Sequence, residues 1–184
     1  MLSKRYLLPA TLGSLMLVLT FARSLTLSLG TPIARTTVGL SFMALGALAL
    51  FLLYREGISF DKLLLMLLPI GAALLIRVLL LDHVTLDYQD FLSKWVSHFR
   101  QNGGFLALKD PIGNYNVPYL YMLAFLSYLP IPDLYGIKLF SILFDILLAW
   151  GGLRLVKHLT TQETHMYSTF GALLLLPTVV LNGS

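Results

Sequence analysis

The chain has 184 residues, 57% of them hydrophobic and 12% charged, with a mean hydropathy of +0.80; soluble chains carry roughly 25% charged residues, so this composition excludes an ordinary soluble domain. Lys and Arg outnumber Asp and Glu 13 to 9, a formal charge of +4, but the basic residues are scattered between apolar runs, which excludes a nucleic-acid footprint and leaves lipid headgroups and an anionic ligand as their partners. There is no cysteine, which excludes disulfides, thiolate metal sites and a Cys nucleophile.

A bilayer span needs about 20 mostly apolar residues, because a helix rises about 1.5 Å per residue through about 30 Å of hydrocarbon. Met1-Leu2-Ser3-Lys4-Arg5 precedes the first run, 6–22. Pro9 comes early and no small-residue cleavage site follows, so this run reads as an uncleaved first helix rather than a signal peptide. Runs 38–54 and 63–81 follow. After a polar stretch, 82–116, come runs 117–131, 137–155 and 166–181, the first and last of them short. A lipid-embedded backbone must satisfy its own polar groups, and nothing alternates with the period of a barrel strand. The expectation is an all-α polytopic membrane protein with about six transmembrane helices in one module. With a cytoplasmic N-terminus the 82–116 loop lies outside. Lys4, Arg5, Arg55, Lys62 and Lys138 then face inward against Arg23, Arg35, Arg154 and Lys157 outside, a margin too thin to fix orientation.

The loop is the place for chemistry. From Tyr88 to Arg100, Phe91, Leu92, Trp95, Val96 and Phe99 form an apolar stripe opposite Gln89, Lys94, Ser97, His98 and Arg100. That pattern predicts an amphipathic helix lying in the membrane interface with Trp95 as its anchor. Gly103-Gly104 stops it, and Asp110-Pro111-Ile112-Gly113 makes a turn. Asp87 and Asp90 open the helix three residues apart. One reading makes Asp87 the N-cap and Asp90 the capping-box acid; the other makes Asp87 a general base at the membrane surface. His83 and His98 have no third ligand at metal spacing, so no metal site is expected. No nucleotide-binding or common hydrolase motif occurs.

Two charges fall within apolar runs. Arg77, near the loop end of the third run, has a snorkelling reading and a phosphate-binding one. Asp145, in the middle of the fifth, has an interhelical polar contact and a direct ligand role as its readings.

The order of features from about Leu81 onward resembles the GT-C superfamily of multi-spanning glycosyltransferases, which take sugars from polyprenyl-phosphate carriers. It is most similar to dolichyl-phosphate-glucose-dependent glucosyltransferases and to bacterial mannosyltransferase-related membrane proteins. The features are Asp87-Tyr88-Gln89 leading to Trp95, the segment Asn114-Tyr115-Asn116-Val117-Pro118-Tyr119-Leu120, the segment Lys138 to Asp145, and the segment Leu176-Pro177-Thr178-Val179-Val180-Leu181-Asn182-Gly183-Ser184. What the resemblance implies is transfer of a hexose to a hydroxyl of a glycan or lipid acceptor at the extracytoplasmic face of a bacterial plasma membrane, with no cofactor. Asp87 carries over as the base, with Asp90 in reserve. Arg77, Trp95, Tyr115, Asn116, Tyr119 and Asp145 carry over as substrate-binding candidates. Two runs precede the helix that is ordinarily first in such proteins, and those proteins continue beyond the equivalent of Ser184, so the resemblance also implies the N-terminal part of a longer chain. Two other classes compete. A transporter or lipid flippase would line a path with Arg77, Asp145 and the aromatic loop, and would show inverted repeats and broken helices. A non-catalytic membrane subunit would use the same helices for assembly.

Overall fold

A computed structural model describes residues 4–112 and 115–182, and among them every regular element is helical. Gly113 and Asn114 of the predicted turn and Tyr/Pro segment, and Gly183-Ser184 of the last motif, lie outside the described residues. The elements are α1 (Lys4–Ser24), α2 (Pro32–Arg55), α3 (Phe60–Leu79), a π turn (Tyr88–Leu92) running into α4 (Ser93–Gln101), a 3-10 segment (Gly104–Lys109), α5 (Val117–Leu126), α6 (Asp133–Leu159), α7 (Glu163–Leu175) and α8 (Pro177–Asn182). The protein is an all-α membrane protein. Of the described helices, α1, α2, α3 and α6 are long and apolar enough to cross a bilayer.

The fourth and sixth expected spans take different forms, both because of proline. The run 117–131 yields α5, which ends at Leu126 after 10 residues, about 15 Å of rise and half the hydrocarbon thickness. Pro130 and Pro132 follow. Neither offers an N–H to the helix, and each disfavours helical backbone in the residue before it. The run 166–181 is helical from Glu163, but Leu176 adopts φ −58°, ψ 127°, the extended geometry imposed on a residue preceding proline. Pro177 then opens α8, where its missing N–H costs nothing.

Because α5 does not cross, α6 descends from the same end of the bundle at which α3 finishes. Lys138 Nζ donates to the Leu80 and His83 carbonyls at that end. At the other, Lys157 Nζ donates to Glu56 and Lys62 pairs with Glu163. Arg154 and Lys157 therefore stand beside Arg55 and Lys62, and Lys138 belongs with the loop, the reverse of the assignment six spans would give.

Two close approaches set the bundle's tightness. A Cβ on Gly13 would lie 2.3 Å from the Leu67 carbonyl carbon, and one on Gly71 would lie 2.6 Å from the Gly13 oxygen, so α1 and α3 touch backbone to backbone, as small residues permit in lipid. At the far end of α2, Gly57 takes φ +88°. Its N–H reaches the Tyr54 carbonyl while Ile58 N–H reaches that of Leu53, a Schellman reversal that only glycine enters without strain. That turn aims Glu56 at α6, where it accepts from Trp150 Nε1 (3.0 Å) and Lys157 Nζ (2.8 Å). Burial alone would raise the Glu56 carboxyl, but the Lys157 hydrogen bond is the larger influence, and with Trp150 and Arg154 it holds the group below the usual range.

The main core lies between α2, α3, α6 and α7, around Phe42, Ile70, Val78, Ile142 and Phe170. A second core, Leu92, Trp95, Val96, Phe99, Ala107, Leu123, Ala124, Leu126 and Ile137, joins α4, the 3-10 segment, α5 and the first turn of α6. The loop is thus a small packed cap over the bundle. Leu92, Trp95, Val96 and Phe99 of the apolar stripe pack into this cap while Phe91 stays exposed, and Trp95, expected as an interfacial anchor, is a core residue only 9% exposed. The hydrophobic pattern identified the buried face correctly but did not say what buries it.

Candidate functional site

The cap is tied to the bundle through Asp82, just past α3. Its carboxylate accepts from Arg23 Nη2 (2.9 Å), the Ser28 backbone N–H (3.2 Å) and the Tyr135 hydroxyl (2.8 Å), and the same hydroxyl accepts from Leu29 N–H at 2.8 Å. Burial pushes the Asp82 carboxyl up, but the hydrogen bonds from Tyr135, Ser28 and Arg23 together outweigh it and leave it below the ordinary carboxylate value. One anion therefore joins the α1–α2 turn, the end of α3 and the start of α6. The sequence reading passed over this hub, treating Asp82 as the loop's first residue. The available signal was Tyr135 and Lys138, polar groups three residues apart on the first turns of a membrane-spanning helix.

Past the hub, Thr85 caps the cap helix: the Tyr88 N–H donates to its Oγ1 at 3.3 Å, and the Gln89 N–H donates to its carbonyl at 3.1 Å. Asp87 is not the N-cap. Its backbone is already helical at φ −59°, ψ −41°, with no capping hydrogen bond. Asp90, exposed, is not the acid of a capping box, because Thr85 and not Asp87 occupies the cap. The next turn is wound wide, with the Ser93 N–H reaching back five residues to the Tyr88 carbonyl. Such π turns recur where a side chain is re-aimed for function.

Relieved of capping, the exposed Asp87 carboxylate accepts at Oδ1 from the Tyr115 hydroxyl at 2.8 Å. That bond, more than burial, raises the Tyr115 phenol above its usual pKa. Among the described residues nothing donates to Oδ2 of Asp87. Tyr115 stands edge-on to Trp95 (centroids 5.0 Å apart) and to Tyr119 (5.2 Å), with Phe91 5.9 Å from Trp95. Asn116 takes extended backbone at the start of α5, and its carbonyl accepts from the Tyr119 and Leu120 N–H groups. The loop candidates Asp87, Trp95, Tyr115, Asn116 and Tyr119 thus form one exposed carboxylate beside an aromatic wall. Asp90 makes no hydrogen bond or ion pair among the described residues. The two histidines stand apart, His98 Nε2 lying 3.0 Å from Asp110 and the His83 carbonyl accepting from Lys138; no group of three metal-ligating side chains occurs among the described residues.

Arg77 and Asp145 belong elsewhere. Arg77 does not snorkel. In a helix each Cα–Cβ bond tilts toward the N-terminus, and the near interface lies at the C-terminal end of α3, so the side chain is launched into the bundle. It donates one turn back to the Ala73 carbonyl (3.2 Å), across to the Leu174 carbonyl (3.0 Å) and, through Nη2, to Asp145 Oδ2 (2.9 Å). Its Nε is buried without a partner. Leu174 is one of the carbonyls orphaned where α7 stops at Leu176, so the guanidinium both neutralises Asp145 and sits at the negative end of α7. For Asp145 the interhelical contact is what the geometry displays.

Set against known proteins, the chain matches no family model, no curated protein and no solved structure.

Proposed function

We propose that the protein transfers a sugar from a polyprenyl-phosphate carrier to a hydroxyl acceptor at the extracytoplasmic membrane face, with Asp87 as general base. The observation that carries this reading is the exposed Asp87 carboxylate, free of any capping duty, oriented by Tyr115 through one oxygen and open at the other. The acceptor hydroxyl gives its proton to Oδ2 as its oxygen bonds the anomeric carbon, and the bond from that carbon to the phosphate oxygen breaks, releasing the polyprenyl phosphate. The exposed ring of Tyr115, backed by Trp95 and Tyr119, offers the flat apolar surface on which a sugar ring packs, with Asn116 and Asp90 as polar contacts beside it. Arg77, committed to Asp145, is not the cation that meets the leaving phosphate in this arrangement.

The test is transfer by the protein in lipid vesicles supplied with polyprenyl-phosphate-linked hexoses and hydroxyl acceptors. A positioned general base contributes about 10²–10⁴-fold, and Asp87→Asn should remove that much while Tyr115→Phe leaves measurable activity. Full transfer by Asp87→Asn would sink the assignment. The transport reading has one observation in its favour, the interruption of α7–α8 at Leu176 beside the Arg77–Asp145 pair. Movement of lipid or solute across the vesicle wall, with no transfer from any donor, would select it.

A further inference from the structure

We infer that the cavity between the ends of α2 and α6 opposite the cap is a binding site for the phosphate of an anionic group, held by Arg55 and Arg154. The cavity measures about 250 Å³ and is lined by Leu52, Arg55, Glu56, Trp150 and Arg154. Both arginines are therefore part of its wall, and Glu56 is the one carboxylate there. The glycine reversal at Gly57 ends α2 so that Glu56 meets α6 and the two arginines share one recess.

The carboxylate is already occupied. Its Oε1 accepts from Trp150 Nε1 (3.0 Å), while Lys157 Nζ donates to Oε2 (2.8 Å) and to the Glu56 backbone carbonyl (3.0 Å). Lys157 thus neutralises Glu56, and two positive charges remain on the wall. Arg154 approaches Oε1 only through Nε, at 3.6 Å, which is too long for a hydrogen bond and leaves both of its Nη groups for another partner. Arg55 forms no ion pair among the described residues. A guanidinium presents its N–H groups as a planar fork that fits two phosphate oxygens at once.

Depth in the membrane selects the anion. Helix α2 runs 24 residues, a rise of about 36 Å, and Arg154 stands 21 positions beyond Asp133 on α6, a rise of about 32 Å. With the cap ends of both helices at one surface, the two arginines clear about 30 Å of hydrocarbon and stand at the headgroup level of the other. One turn nearer the bilayer centre the helices expose carbon, at Phe51, Leu147 and Leu148. Phosphate is the anion a bilayer presents at that level, and basic pockets between membrane helices take anionic headgroups. A choline cation finds no partner here, because Glu56 is neutralised and the Trp150 ring already carries the Arg154 guanidinium at 5.3 Å.

The experiment reconstitutes the protein in vesicles of equal phosphatidylglycerol and phosphatidylcholine with identical acyl chains and counts retained lipids by native mass spectrometry. Phosphatidylglycerol should be retained in preference. Arg55→Gln and Arg154→Gln should each cut that preference about fivefold, the effect of one basic residue at a membrane surface. Arg5→Gln, at the same end of the molecule but outside the cavity wall, should leave it unchanged. Both cavity arginines are exposed, so an unchanged thermal unfolding midpoint in each variant shows the fold intact. A parallel arm adds inorganic phosphate to the protein in detergent without lipid. A midpoint raised by phosphate in the wild type but not in the double variant, with the two lipids retained equally, would keep the site and make its phosphate a free one. Equal retention with no such rise would overturn the inference. So would an unchanged lipid preference in the double variant, or an equal loss from Arg5→Gln, since diffuse surface charge would then account for it.

Discussion

Replacing Asp145 with Leu tests the reading that Arg77 is a buried, paired guanidinium. The Arg77 side chain is 1% exposed and that of Asp145 15%, with their atoms 2.9 Å apart. Ordinary interhelical hydrogen bonds in lipid are worth about 0.6 kcal/mol on average, whereas removing one partner of a buried ion pair costs about 3–5 kcal/mol because the other charge is left uncompensated. The Ala73 and Leu174 carbonyls still solvate Arg77 in the variant, so the expected cost of Asp145→Leu is near the lower figure, about 3 kcal/mol. In Arg77→Met/Asp145→Leu no charge remains buried, but the Leu174 carbonyl loses its donor, a loss of about 1–3 kcal/mol. The double variant should therefore be no less stable than Asp145→Leu alone, and the cycle should return a coupling of about 2 kcal/mol or more. The assay is reversible unfolding in lipid bicelles for the wild type, both single variants and the double. A cost for Asp145→Leu of about 0.6 kcal/mol or less would refute the reasoning, since that is what an arginine free to snorkel would give.

Other expectations follow from the cap. Thr85→Ala should weaken the helix that begins at residue 86 by about 1 kcal/mol, seen as faster amide exchange through Gln89, whereas Asp87→Asn should leave that exchange unchanged. Asp82 has a depressed carboxyl pKa in the fold against an ordinary 3.8. Its contribution is therefore whole above about pH 4 and is lost as pH falls through the lower folded value. Unfolding followed from neutral to acid pH should show this limb, and Asp82→Asn should lower stability at neutral pH while flattening it. The chain has no cysteine, so single cysteines at Lys109 and Lys157 can be labelled from either side of sealed vesicles with an impermeant thiol reagent. The two should label from opposite sides; labelling from the same side would restore the six-span arrangement.

Which parts were legible in the sequence follows from where each signal resides. Helices α1, α2, α3 and α6 were readable because a run of apolar residues long enough to cross hydrocarbon has no other way to satisfy its backbone. The stripe on α4 was readable because helical periodicity marks a buried face whatever covers it. Asp87, Trp95, Tyr115 and Tyr119 carried over as candidates from the resemblance, and only the structure sets them side by side. Tertiary structure decided the rest. Composition counted α5 as a span, yet Pro130 and Pro132 ended it at half the needed length, and that one failure reversed the side to which Arg154, Lys157 and Lys138 belong. Asp87 lost its capping role to Thr85, since a backbone angle, not a residue type, fixes where a helix begins. Arg77 and Asp145 are 68 residues apart, and no local pattern says that a side chain launched toward the N-terminus of α3 meets a carboxylate on α6 and a freed carbonyl on α7. The sequence determined which segments prefer lipid and which residues carry charge. Only packing decided which charges meet, because an ion pair across three helices depends on crossing geometry that one-dimensional spacing does not contain.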